Sequence, residues 1–388
     1  MKLIELRDCI LEDDRGYRKI AKEAGIMSKT TLGNFLKYLQ CGKPEPSLHS
    51  ILKIHALYCP HSESEIQVVV NYGFDYDLKA SNLKEVMDYF FEKSRFDIVK
   101  ILATKGKRMK NEMPHFSSIY ELMAKARNGE ITWSDLARET KNINYKHVQI
   151  EFLKEFLEAL YLLNSQVFED DEVHLKYVKL EKKCLSLLNN IEQLQGSFLY
   201  KKFKIRIKEL LARALLKKGE YVEAKKIASY ILDSGAGDRH KASAHYAYAM
   251  SHLFDDYNLC ITHLQTAAEL YLKSNLIEDY RETQFYIEFV SIFWEVPVEP
   301  THSLNKAFLY LVQGNVHQAK KEMQNVNYTG YKFYIATIFR ALCESSEMLQ
   351  QNLLNQASNN FRKCGDYHFE QLPNKIFEKF NLKRGVYP

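Results

Sequence analysis

The chain has 388 residues, with 54 Lys and Arg against 49 Asp and Glu and a formal net charge of +5, which excludes the field of a nonspecific polyanion binder. At 46% hydrophobic and 13% aromatic it can bury a large core and is long enough to divide into domains, so disorder is excluded as well. Only 15 glycines and 8 prolines punctuate it, about 6% against the ~12% of average proteins, which argues against barrels, sandwiches and glycine-cradled phosphate folds and for many helices on short polar links.

The first segment, MKLIELRDCILEDD, carries charges where a signal peptide would be apolar, and no run approaches the ~18 apolar residues of a membrane span. Seven cysteines without a C-x-x-C pair fit a reducing interior. A cytoplasmic protein with no membrane association is expected.

Between Arg15 and Lys43 stand seven basic residues and one acid, a local excess of +6. Within it, YRKIAKEAG places Ile20 and Ala21 on a first helix and Gly25 at a turn that needs positive φ, with Ile26 packing beneath. This is helix-turn-helix spacing, with a turn one residue longer than the tightest form. Ser28 is the predicted N-cap of the second helix, whose Leu32, Phe35, Leu36 and Leu39 face inward. The opposite face carries Lys29, Thr30, Thr31, Asn34 and Lys37, residue types that read base edges in a major groove, and Arg18 and Lys19 suit phosphates. The alternative is a basic helical cap with a solvated face. Pro44 and Pro46 precede an amphipathic helix over Leu48, Ile51, Leu52, His55 and Leu57 that ends at Pro60, closing a predicted domain at residue 61. His49, His55, Cys59 and His61 lie close in sequence but lack paired ligand spacing, so no metal is expected.

Residues 62–388 form the second predicted domain, and from about Leu78 onward they read as helix after helix. Asn82 and Glu85 resemble a start signal for Leu83, Val86, Met87, Phe90 and Phe91; Phe152, Phe156, Ala159, Leu160 and Leu163 repeat the stripe. ARALLKKGEYVEAKKIA places Ala212, Gly219, Ala224 and Ala228 at the offsets that AFLYLVQGNVHQAKKEM gives Ala307, Gly314, Ala319 and Met323. Small residues let antiparallel helices approach and the glycine caps the first of them, as in a tetratricopeptide hairpin. Weaker copies run through Ala249, Leu253, Tyr257 and Leu264, and through Asn352, Ala357 and Phe361. The predicted fold is all-α: a helix-turn-helix domain, then a tetratricopeptide-like α-solenoid of roughly eight or nine pairs with a concave, peptide-binding face. No nucleotide, nucleophile-elbow or H-E-x-x-H motif appears, so neither an enzyme nor a cofactor is expected.

The order YRKIAKEAG, LGNFLKYLQ, SLHSILKIHALYCP, then Gln284 to Trp294, AFLYLVQGNVHQAK and FRKCGDYHFEQLP, resembles the arbitrium receptors of Bacillus phages, the AimR family, within the wider peptide-sensing regulators of Gram-positive bacteria. The resemblance implies a homodimeric regulator in the bacterial host cell. It would bind a double-stranded DNA operator and favour lysis until a short signalling peptide, with an arginine near a small-residue C-terminus, switches it off. A carboxylate should meet that arginine. Asp366 falls where the family places an acidic contact, and Arg239 where it places a cavity arginine. Gln284 and Asn305 are carried over as polar contacts. Met250 and Lys202 stand at positions where the family pattern is polar, Met250 replacing an asparagine. Apolar Ile376, Phe377, Phe380 and Leu382 suit either a solenoid cap or a two-fold contact, the latter favoured by the resemblance. The competing function is a helical-repeat adaptor or Rap-like inhibitor without DNA binding.

Overall fold

The computed structural model describes residues 2–26, 29–41, 46–59, 62–164, 175–324, 328 and 330–384. Among these residues all regular structure is helical, no strand is present, and no helix is long and apolar enough to cross a membrane. The chain divides into two compact units, residues 1–150 and 151–388. The helices of 62–150, assigned above to the repeat array, therefore pack in one unit with the basic segment.

The first unit contains α1 (Leu3–Leu11), α2 (Tyr17–Glu23), α3 (Lys29–Cys41), α4 (Leu48–Tyr58), α5 (Ser62–Phe74), α6 (Ala80–Glu92), α7 (Phe96–Gly106), α8 (Met113–Arg127) and α9 (Trp133–Lys141). Ile20 and Ala21 of α2 are buried with Leu32, Phe35 and Leu36 of α3, and Gly25 takes φ +63° while the Ile26 amide donates to Ala21 O at 3.0 Å. Leu39 is only half-buried, and the buried position is Tyr38. Its ring lies 6.2 Å from that of Tyr72 and 5.0 Å from that of Tyr76, so α3 packs on a second side that a single apolar stripe does not anticipate. Ser28, and with it the predicted cap, lies outside the described residues, as do Pro44, Pro60 and His61. The start signal at Asn82 is corrected: α6 begins at Ala80 after Lys79, and Asn82, buried, donates to Pro46 O at 3.0 Å beside the Tyr72 hydroxyl at 2.6 Å. The buried backbone carbonyl of Pro46 recruits the amide that would otherwise cap the helix.

Helix α10 (Val148–Asn164) leads into α11 (Lys176–Asn190), α12 (Phe198–Lys217), α13 (Tyr221–Asp233), α14 (Asp238–Met250), α15 (Tyr257–Lys273), α16 (Ile277–Phe293), α17 (Ser303–Val312), α18 (Val316–Gln324), α19 (Gly330–Leu342), α20 (Glu347–Lys363), α21 (Tyr367–Glu370) and α22 (Leu372–Arg384). Most of these helices pack against the next in sequence, as α11 to α16 do in turn. In the two matched hairpins Ala212, Ala224, Ala228, Ala307, Ala319 and Met323 are all buried. Gly219 and Gly314 take φ +80° and +78°, with the next amides, Glu220 and Asn315, bonded to Leu215 O at 2.9 Å and Tyr310 O at 2.8 Å. That wrapped carbonyl is why the turn wants a residue without Cβ. The α14–α15 pair buries Ala249, Leu253 and Leu264, and the α19–α20 pair Ala357 and Phe361; Asn352 points outward instead and takes no part in the repeat contact.

The array closes on itself, since α21 packs against α12 and α22 against α20. Ile376 and Phe380 are buried, the Phe380 ring lying 5.5 Å from Phe308 and 6.4 Å from Phe293. Ile376 and Phe380 thus pack into the interior of this unit. Phe377 is half-buried, and the Leu382 side chain lies outside the described set.

Candidate functional site

In the first unit Arg18, Lys19, Lys29, Thr30, Asn34 and Lys37 are exposed and Thr31 half-buried. Turn geometry and the apolar underside of α3 thus leave one polar, basic face in solvent. Arg15 does not belong to it: its guanidinium bonds Asp13 at 2.9 Å and pairs with Glu23, while the Tyr58 hydroxyl donates to Asp13 at 2.8 Å. The Arg15 hydrogen bonds hold the Asp13 carboxyl well below the usual carboxylate range. Lys53 Nζ donates to Gly25 O at 2.6 Å, tying α4 to the turn. Buried His55 bonds Ser64 at 3.0 Å, as does Cys59, and among the described residues no group of three metal-type ligands assembles.

The second unit holds a cavity of about 980 Å³ that is open to solvent on one side, at the upper end of ligand pockets. Tyr177, Tyr246, Tyr271, Tyr286, Tyr331 and Tyr334 line it, with Lys176, Arg213, Lys217, Arg281 and Lys332 as cations and Glu278, Asp279, Glu282 and Glu288 as anions, Arg281 pairing with Glu278 at 2.7 Å. The cations are engaged. Arg213 donates to Ser243 at 3.1 Å and lies 3.6 Å from Glu209; Lys332 Nζ is 3.3 Å from His302 Nε2; Lys217 Nζ is 2.6 Å from Asp366 Oδ2. Lys176 lies over the Tyr177 ring, and burial pushes its ammonium down to about 8. Asp279 and Glu282 carry no ion pair among the described residues and sit three apart on α16, which places both on one face. Glu282 keeps an exposed side chain on the cavity wall, and the protein mass around it displaces enough water to push its carboxyl up, against the pull of Lys217 and Arg213. Two neighbouring carboxylates without an ion pair give this part of the tyrosine-lined wall a preference for a cationic group.

Of the six residues expected at a ligand, the structure brings only Gln284 to this cavity. Asp366 is fully buried: Oδ1 caps α21 by accepting from the Phe369 amide at 3.1 Å, and Oδ2 takes the Lys217 ammonium. Asn305 is also fully buried, donating to Phe285 O and Glu288 Oε2, both at 2.9 Å, and so fixes the α16–α17 connection. Met250 is core. Lys202 is exposed on α12, and half-buried Arg239 lies near Glu209; neither lines the cavity. Sequence reading missed the tyrosine wall and the Asp279–Glu282 pair. The available signal was two acids three apart beside Thr283 and Tyr286, on a helix buried round most of its circumference.

The latch around α21 carries a pH signature. His368, buried, has Nδ1 3.0 Å from the Tyr221 hydroxyl, which also accepts from Gln371 at 2.6 Å. Burial pushes His368 down to about 3 and His245, beside His263, down to about 4. Below the ordinary histidine value of ~6.5 the unfolded chain binds protons these folded groups refuse. Stability is therefore full above that value and is lost as pH falls towards the folded values. Urea midpoints followed from neutral pH to about pH 4 should fall less steeply for His368→Gln than for the wild type; parallel curves would contradict this.

The AimR transcriptional regulator-like family model matches residues 65–379. No curated protein matches the sequence. Among solved structures, a ligand-bound phAimR superposes with TM-score 0.70 at 18% identity, covering 87% of this chain and 98% of that one. A selenomethionine phAimR superposes with TM-score 0.69 at 17% identity, covering 99% of each. At such identities the likeness is one of fold. The family match spans most of the chain, and the protein belongs to the AimR transcriptional regulator-like family.

Proposed function

We propose that the chain is a DNA-binding transcriptional regulator of the bacterial cytoplasm, gated by a short signalling peptide held in the cavity of the second unit. The observation that carries this reading is the Asp279–Glu282 face, without an ion pair among the described residues, on the wall of a tyrosine-lined cavity. An arginine of the peptide would meet those carboxylates, and its free C-terminal carboxylate the Lys176 and Lys217 side. Asp366, already bonded by Lys217, acts in closing the chamber. The helix-turn-helix of residues 1–61 would read an operator through Lys29, Thr30, Thr31, Asn34 and Lys37, with Arg18, Lys19 and Ser28 on phosphates or the helix cap. A homodimer would set the spacing of two half-sites. Following the family, the peptide-free form acts on DNA in favour of lysis and peptide ends that action. The exposed polar face of α3 suits a groove better than the apolar partner an adaptor would need.

Gel shifts with DNA from beside the chain's own gene test the reading of α3. Asn34→Ala and Lys37→Ala, each losing a base contact of about 1–3 kcal/mol, should weaken operator binding about 5- to 150-fold. Equal binding by wild type and both variants would sink the assignment of α3.

A further inference from the structure

His302 and Lys332, both half-buried, meet on the wall of the cavity. His302 is the N-cap of α17, and its Nδ1 accepts from the Leu304 amide at 3.2 Å. That bond uses the one lone pair of a neutral imidazole, so the ring hydrogen sits on Nε2. Burial and the Lys332 charge both push the imidazole down, against the pull of Glu288, and so favour the neutral ring. The ring is held in place. It packs edge-on against Phe285 at 5.0 Å, and the His302 amide donates to Glu288 Oε2 at 3.4 Å.

Lys332, in the first turn of α19, places its Nζ 3.3 Å from that Nε2 and 5.2 Å from the centre of the Phe285 ring. An ammonium has three donors and no acceptor, so the two nitrogens meet donor to donor. No carboxylate lies within ion-pair distance of Lys332 among the described residues. The acids on the cavity wall are placed otherwise. Glu288 accepts from Thr301 N and Oγ1 at 2.9 and 2.6 Å and from Asn305 at 2.9 Å, and Glu278 pairs with Arg281. Glu282 senses the Lys332 charge without pairing with it. Two donors 3.3 Å apart thus stand over an aromatic ring in the same cavity, with a common acceptor missing between them among the described residues.

We propose that His302 and Lys332 grip a carboxylate of the signalling peptide, one oxygen on Nε2–H and the other on the ammonium. This rests on the peptide-binding reading above and adds a second anion locus to that site. A carboxylate answers both donors at once, whereas an amide brings one oxygen and sets its own N–H groups against the second donor. The partly dry setting over Phe285 strengthens the contact. The place given above to the C-terminus, beside Lys176 and Lys217, leaves an acidic side chain as the first occupant; the C-terminus itself is the other source of the same chemistry. The cavity then selects a peptide with charges of both signs, an arginine for Glu282 and a carboxylate for Lys332.

The test is calorimetry on the full chain with the arginine-bearing peptide encoded by the neighbouring reading frame, in three forms: as encoded, with every acidic side chain changed to its amide, and with a C-terminal amide. Lys332→Met, which keeps an aliphatic stem, should weaken the encoded peptide about 10- to 150-fold. His302→Asn keeps a capping oxygen for the Leu304 amide and removes Nε2–H, and should weaken it about 2- to 10-fold. Both penalties should vanish for the form that lacks the gripped carboxylate: the side-chain amide form if an acidic residue sits there, the C-terminal amide form if the terminus does. The ratio between forms is read within one protein, so a partial loss of folding cancels from it. Penalties that persist unchanged in both amide forms, or Lys332→Met binding the encoded peptide as wild type does, would overturn the proposal. Wild type that binds none of the three forms overturns the underlying peptide-binding reading instead.

Discussion

Replacing Lys217 with methionine is expected to cost about 3–5 kcal/mol of stability, the usual consequence of stranding one member of a buried ion pair. The Asp366 carboxylate it leaves behind is fully buried and, among the described residues, keeps the Phe369 amide as its one hydrogen bond. The pair joins residues 149 apart, so it fastens α21 to α12 across the whole array. Burial opposes the Lys217 charge, yet Asp366 and Tyr177 hold its ammonium above the ordinary lysine value, and that ammonium lies over the rings of Tyr331 and Phe369, at 4.6 and 4.8 Å. Methionine keeps an aliphatic stem of similar size and removes the charge with its ring contacts. Adding Asp366→Asn, which retains a capping oxygen for α21, should recover most of the loss, because removing both charges ends the desolvation penalty. Urea unfolding of the two variants measures this. A single variant within about 1 kcal/mol of wild type would mean that the pair contributes no more than a surface ion pair does.

Glu282→Gln is expected to weaken an arginine-bearing peptide by about 1.5–3 kcal/mol, the worth of a hydrogen bond to a charged group, or roughly 10- to 150-fold in Kd. The same change should leave stability unaltered or slightly raised at neutral pH. A carboxyl whose folded value lies above its unfolded one stabilises the fold at low pH and loses that contribution as pH rises through the folded value; the neutral amide avoids the loss. Peptide affinity in the wild type should also fall as pH drops through Glu282's raised value, since a proton competes with the guanidinium. Titration calorimetry at two pH values checks both the size and the sign. Asp366→Asn makes the contrast: it should destabilise the chain while leaving the preference for arginine over citrulline in the peptide intact. If Asp366→Asn abolished that preference and Glu282→Gln did not, the two carboxylates would have to exchange roles.

Local rules made much of the fold legible. Leu32 and Phe35 follow from helical spacing, and Gly219 and Gly314 mark their hairpins because both need positive φ. Other turns hid by using residues that sequence rules do not flag. Ser94, Asn275 and Glu295 take φ of +56°, +57° and +60° and close their helices through the same type of backbone bond, as in the Leu276 amide to Tyr271 O at 2.9 Å. The shortage of glycine thus understates the number of hairpin turns. The cavity was less legible than the fold because it is made by closure. Nothing local to KCGDYHF tells that Asp366 will meet Lys217, and once it does, an acid expected at the ligand becomes part of the frame. Asn305 and Met250 changed role for the same reason: both face into packed helices, where the resemblance supplied register but not orientation. The apolar C-terminal helix was legible as apolar, while its partners, Phe293 and Phe308, became evident only when the array closed.

The most direct test of peptide-gated DNA binding is fluorescence anisotropy of a labelled duplex from beside the gene, recorded with the full chain before and after adding the short arginine-bearing peptide encoded by the neighbouring reading frame. Peptide-gated binding requires high anisotropy without peptide and its fall on addition, with Glu282→Gln needing roughly 10- to 150-fold more peptide for the same fall. Anisotropy that stays at the free-duplex value in both states would contradict DNA binding. A bound duplex indifferent to peptide would contradict the gating.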